Sequence, residues 1–185
     1  MNNKGFTLIE LIAMVVILGV LMLIAVPNMA GIIKNNKEIA ATEDFNRMVN
    51  NAKTRFNTKA AKYPAYENAC VVLSMAYINT NSDLKTGING GKYLENESFI
   101  VVRKDRTDNN VYQYKYFVRL VEEFDDEKFE VPLIEVEDFL KDPKSNMPNL
   151  PPTLDIDLTK TDENALKDFI NELGVECSRV DRIYR

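Results

Sequence analysis

The chain has 185 residues, a formal net charge of -5 at pH 7, two cysteines and no histidine or tryptophan. Without histidine it builds no Ser-His-Asp or Cys-His centre and no His-ligated zinc site, and no other nucleophile-base pattern points to an enzyme. The acids gather in "EEFDDEKFE" (Glu122 to Glu130), which argues against nucleic-acid binding by phosphate neutralisation, and "RKDR" (Arg103 to Arg106) reads as a solvated turn.

From Leu11 to Ile33 no residue carries a charge. As a helix rising about 1.5 Å per residue this run reaches about 35 Å, enough to cross a bilayer. It is longer than the apolar region of a cleaved secretory signal. The nearest cleavage candidate, "NMA" (Asn28 to Ala30), has Asn where a small residue is needed. A simple uncleaved anchor accounts for everything except "KGFTLIEL" (Lys4 to Leu11), which puts Glu10 at the head of the run. An acid at the centre of a membrane helix costs about 2.5–3.5 kcal/mol, and acids inside spans tend to be functional. At the interface the same acid complements the positive end of the helix dipole, worth about 1 kcal/mol or less. Physics alone does not separate these two readings.

"KGFTLIEL" resembles the processing site of the type IV pilin family: a short basic leader ending in Gly, then Phe, then Glu four residues on. The resemblance covers residues 1–30 and includes Gly19 and Pro27, which fall where that family has its helix-loosening Gly and Pro. It implies a class III signal peptide cut between Gly5 and Phe6 by a prepilin peptidase, with N-methylation of the new Phe6 amino terminus. It further implies a subunit held in the cytoplasmic membrane as a single-pass protein among lipids, passed to an assembly platform, and polymerised with copies of itself or related pilins. In such a filament Glu10 neutralises the Phe6 amino terminus of a neighbour, because leaving either charge unpaired in a dry core is expensive. Glu10 then sets the register of assembly. The abundance of Asn and Lys points to an AT-rich genome, such as that of a low-GC Gram-positive bacterium.

Beyond the apolar run the pattern becomes amphipathic, with Phe45, Met48, Val49, Ala52 and Phe56 on one helical stripe. The predicted helix runs from Phe6 to about Ala61. It stops before Tyr63–Pro64, where the pre-proline position disfavours the α region, and Pro27 is expected to kink or locally melt it. "YENACVVLSMAYI" (Tyr66 to Ile78) has helical spacing and strand-like β-branched residues together, and "NTNSDLKTGINGGKYLENES" (Asn79 to Ser98) reads as loop. Three strand signals follow. They are "SFIVVRK" (Ser98 to Lys104), "VYQYKYFVRLVEEF" (Val111 to Phe124), and "KFEVPLIEV" (Lys128 to Val136), in which Pro132 suggests an edge or a bulge. A Pro-rich connector (Lys141 to Thr153) leads to a last helix capped by Thr161 or Asp162, striped by Leu166, Phe169, Ile170 and Leu173, and stopped by Gly174. The tail adds a strand or a clamp.

The expected fold is α+β: a long N-terminal spine helix packed under an antiparallel β-sheet head, with a C-terminal helix. Residues 1–5 form the leader, 6–33 the transmembrane and assembly half of the spine, 34–62 its amphipathic half, and 63–185 the head, which lies outside the cytoplasm. Cys70 and Cys177 then form one disulfide, or stay as two buried thiols. Asp155 and Asp157 are weak calcium candidates, since the EF-hand spacing is missing, and no cofactor is expected. The Tyr112, Tyr114, Tyr116 alternation is read as core packing and the run from Glu122 to Glu130 as a hairpin tip or loop. The functions weighed are a pilin of an extracellular pilus for adhesion or twitching motility, and a pseudopilin of a type II secretion or DNA-uptake apparatus. A third, of another class, is a membrane-anchored extracellular binding protein.

Overall fold

The computed structural model describes residues 7–80, 84, 86–146, 152 and 154–185, without the side chains of 23–32, 34 and 146. It divides into two units, Met1–Lys37 and Glu38–Arg185. The first helix, α1 (Leu8–Asn57), contributes to both.

In the first unit α1 presents an apolar surface from Leu11 to Met22. Every large hydrophobic side chain from Leu8 to Met22 is between 51 and 80 % exposed. Among the described residues no helix is long and apolar enough to cross a membrane. The middle of the uncharged run, 23–32, has side chains outside the described set.

In the second unit α1 lays Ala41, Phe45, Met48, Val49, Ala52 and Phe56 onto a sheet, and all six are buried. Phe45 to Phe56 are the stripe read from the sequence, and Ala41 extends it by one turn; each large apolar side chain so covered contributes about 1.5–3 kcal/mol. α1 ends at Asn57, four residues before the expected Ala61. Lys59 takes a left-handed φ of 61°, and the Lys59 and Ala61 amides donate to the carbonyls of Phe56 and Arg55, closing the helix early.

The sheet contains β1 (Ala69–Ser74), β2 (Lys92–Tyr93), β3 (Phe99–Arg106), β4 (Tyr112–Phe124), β5 (Glu127–Glu135) and β6 (Arg179–Tyr184). β3, β4 and β5 form the antiparallel meander expected from the sequence, and β1 adds antiparallel to β3. Pro132 lies both on an edge strand and within a bulge, where Val118 pairs Ile134 but Leu120 pairs Val131. The ambiguous Tyr66–Ile78 stretch resolves into both elements. Val71 and Val72 sit in the buried strand β1, and Ser74 caps a short α2 (Met75–Ile78) by accepting from the Tyr77 amide.

The sheet is not wholly antiparallel, because β6 runs parallel to β1. Cys70, near the start of β1, is bonded to Cys177, just before β6, with their Cα atoms 5.8 Å apart. The bond fixes both strand starts at one end of the sheet, so the two strands run the same way.

Strand alternation divides the interior in two. Val71, Leu73, Ile100, Val102, Val118 and Leu120 face α1. Cys70, Val72, Phe99, Val101 and Phe117 face the opposite layer, α4 (Glu163–Glu172), through Leu166 and Ile170. α4 forms as its sequence dictates. Asp162 accepts from the Asn164 and Ala165 amides, and Gly174 takes a φ of 89° just past the end. α3 (Val136–Lys141) stacks Phe139 on Phe45 of α1 at 3.8 Å between ring centres.

Candidate assembly site

The first turn of α1 is built by "TLIE" (Thr7 to Glu10), whose T-x-x-E spacing is that of a capping box. The Thr7 amide and hydroxyl donate to Glu10 Oε2 at 2.9 and 2.7 Å, and the Glu10 amide donates back to Thr7 Oγ1 at 3.4 Å. Two amides that the helix itself cannot satisfy are thereby paired. The carboxylate sits against the positive end of the helix dipole. Thr7 is the partner that sequence reading passed over, although the spacing that reveals it was present.

Around this carboxylate stand Leu8, Ile9, Leu11 and Ile12, all exposed. Contiguous apolar surface on this scale marks an interaction or membrane surface. A lone acid ringed by such surface recognises a cation as water is excluded, since the attraction grows when the dielectric falls. Gly19 lies within α1, and an added Cβ there would meet nothing within 4 Å. Pro27 also lies within α1, with its side chain outside the described set. The cleavage candidates Gly5 and Phe6 lie outside the described residues.

The remaining candidates sit in the second unit. Cys70 and Cys177 are joined in the layer between the sheet and α4. Asp155 and Asp157 are each engaged by a lysine: Asp155 lies 3.3 Å from Lys128 Nζ, and Asp157 lies 2.9 Å from Lys160 Nζ. Asp157 also accepts from the Thr159 hydroxyl and amide. With Lys160 these bonds hold its carboxyl down to about 2. Among the described residues no group of three or more histidine, cysteine or acidic side chains could hold a metal ion.

The reading of "RKDR" (Arg103 to Arg106) as a solvated turn is overturned, because these residues are the end of strand β3, paired with Tyr112 to Lys115 of β4. The reading of the tyrosines changes as well. Tyr112 and Tyr114 are not core residues: they are 51 and 37 % exposed, and only Tyr116 packs against the core. β4 outruns the helix beneath it, so Tyr114 stacks outward along Phe56–Tyr63–Tyr114, at 4.0 and 4.2 Å between ring centres, and Tyr112 lies beyond that stack under Lys104. The run from Glu122 to Glu130 does form a hairpin, turned by Asp125 and Asp126 with φ of 55° and 62°, but both its end residues are buried. Glu122 accepts from the Asn89 amide and side chain, and Glu130 pairs with Arg119. Gly87 sits so close that an added Cβ would fall 1.8 Å from Glu122 Oε2. Two shallow clefts also open on this unit. One of about 220 Å³ lies by Tyr63, Tyr66 and Arg179, and one of about 570 Å³ by Asn68, Arg103 and Glu176.

The chain thus opens on a helix whose first turn is an acid-bearing capping box and whose surface from Leu11 to Met22 is apolar. Residues 1–26 match the family model of the prokaryotic N-terminal methylation motif, which is the class III signal peptide of type IV pilins. The motif supports a type IV pilin or pseudopilin, a structural family and not an enzymatic one. It implies processing by a prepilin peptidase, membrane insertion and assembly into filaments. Comparison with curated proteins and with solved structures gave no match.

Proposed function

We propose that this chain is a structural pilin, major or minor, polymerised into an extracellular type IV pilus that serves adhesion or motility. The observation that carries the reading is the methylation motif set on a helix whose first turn holds one acid in exposed apolar surface. In this reading residues 1–5 are removed between Gly5 and Phe6, and the new amino terminus is methylated. Residues 6–33 hold the subunit in the cytoplasmic membrane, a role supported by the absence of charge from Leu11 to Ile33. They then form the filament interior, with Gly19 and Pro27 loosening the helix. Residues 34–62 complete the spine beneath the head, 63–185.

Glu10 is the assembly residue. Its carboxylate exchanges part of its bonding to Thr7 for the Phe6 amino terminus of a neighbour. Glu10→Ala is expected to insert and be processed normally, but to enter filaments at least about tenfold less well, as an unpaired buried amine demands. Sheared-filament yield against total membrane subunit measures this, and normal assembly by Glu10→Ala contradicts the role. Electron microscopy with antibody against the head distinguishes long surface filaments from the short envelope-bound ones of a pseudopilin.

A further inference from the structure

The second unit is chemically polarised along β4. At its C-terminal end the β4–β5 hairpin exposes Phe124, 46 % accessible, among Glu123, Asp125, Asp126 and Glu127; the lysines here are Lys92 and Lys128, both in register with Glu123, and Lys128 is taken up by Glu97 and Asp155. Among the described residues none of these four acids has an ion-pair partner within 4.0 Å.

The N-terminal end of β4 is the opposite in charge. Val111, Tyr112 and Tyr114 stand exposed, with Lys104 Nζ 4.3 Å from the centre of the Tyr112 ring and Lys53 Nζ 5.2 Å from that of Tyr116. Arg106 lies opposite Tyr112 in the β3–β4 register. The acids here are Asp108, at the hairpin tip, Glu67, 3.9 Å from Arg106, and Asp105, which is paired with Arg103 at 2.6 Å. The 13 residues of β4 set the two surfaces about 40 Å apart at about 3.3 Å per residue.

The buried part of α1 follows the same axis. Asp44 accepts from the hydroxyl of Tyr93, the residue paired with Glu122, whereas Phe56 reaches Tyr114 through Tyr63. Glu43 and Asp44 thus fall towards the acidic end, and Lys53 and Lys59 towards the basic end.

We propose that this chain stacks head to tail on a second copy, the acidic Phe124 hairpin of one seating on the lysine-rimmed tyrosine surface of the next. The proposal rests on the filament-subunit reading. Each surface offers an exposed apolar centre with a charged rim, and the rims are of opposite sign, so a copy of this chain is the occupant that both fit. The two surfaces are different patches at opposite ends of one strand. The contact is therefore heterologous, and repeated along one axis it does not close into a dimer. Because the polarity runs along α1, successive copies keep their helices parallel.

The test uses the full chain in its own cell, with its assembly machinery. Asn109→Cys together with Glu127→Cys, oxidised in sheared filaments, is expected to give a ladder of covalent multimers, while each single variant stays monomeric. Independently, Glu123→Lys with Glu127→Lys, or Lys53→Glu with Arg106→Glu, is expected to cut filament yield about tenfold or more by setting like charges face to face. Combining both reversals is expected to restore yield to within about threefold of the original. Filaments that form no ladder and ignore both reversals overturn the stacking while leaving the subunit reading intact. Dimers from a single-cysteine variant overturn its head-to-tail geometry. An unaltered chain that yields no filaments overturns the subunit reading, and the stacking with it.

Discussion

Replacing Cys70 and Cys177 with serine is expected to destabilise the second unit by about 2–5 kcal/mol, the upper part of that range following from the length of the loop it opens. The bond spans 107 residues, and a cross-link across so long a loop removes a large conformational freedom from the unfolded chain. It also pins β6 to β1, the one parallel pairing among the described residues. β6 follows β5 by way of α3, a Pro-rich connector and α4, and no short hairpin sets its register on β1. Without the bond β6 should separate first, taking with it the Tyr184 hydroxyl, which accepts from the Lys62 amide, and the Asp181 carboxylate, which accepts from the Ala65 amide. Denaturant unfolding of the double-serine variant, followed by amide exchange in β6, measures both effects. A midpoint unchanged from the parent, or β6 amides as protected as before, contradicts this role for the disulfide.

Arg119→Ala is expected to cost about 3–5 kcal/mol, as for the removal of one partner from a buried ion pair. Arg119 is fully buried in β4. Its Nε donates to Glu130 Oε1 at 2.7 Å, and its two terminal nitrogens donate to the carbonyls of Glu97 and Leu154 at 3.1 and 2.6 Å. The guanidinium lies 5.8 and 5.3 Å from the ring centres of Phe99 and Phe169. One side chain therefore ties β4, β5, the turn before β3 and the segment leading to α4. Substitution by alanine removes the counter-charge of Glu130, both carbonyl partners and the packed stem together. Arg119→Met with Glu130→Leu keeps the volume and deletes both charges, so it is expected to lose less than Arg119→Ala alone. If Arg119→Ala unfolds within about 1 kcal/mol of the parent, the pair behaves like a surface bridge and its structural role falls.

The parts of this fold that were legible in the sequence are those where a local pattern and the tertiary environment agree. The stripe from Phe45 to Phe56 reads as helix because its period matches the face α1 buries. Asp162, Leu166, Ile170 and Gly174 define α4 through cap, stripe and stop, each satisfied on its own residues. The meander from Phe99 to Glu135 follows from alternation and turns. Arg119 and Glu130 were illegible because a charge in an alternating strand ordinarily marks the solvent face. Here that face is covered by α4, an element distant in sequence. Tyr112 and Tyr114 failed for the complementary reason: their alternation is correct, but α1 ends before it can cover them. The parallel placement of β6 was hidden because the disulfide that fixes it is a long-range pairing, open in the sequence until the strands are in place.

At the N-terminus the order is reversed, and the motif said more than local structure does. The capping box explains how Glu10 is held in a single chain. It does not explain why that turn opens onto so much uncovered apolar surface, which the membrane insertion and assembly implied by the motif would cover. Processing at Gly5 is the step on which the pilin reading depends. Mass spectrometry of subunit taken from the native cell is expected to show a chain that begins at N-methylated Phe6, lacks Met1 to Gly5 and retains Glu10 with the apolar run behind it. An intact Met1 terminus, or a chain that begins after Ala30, contradicts it.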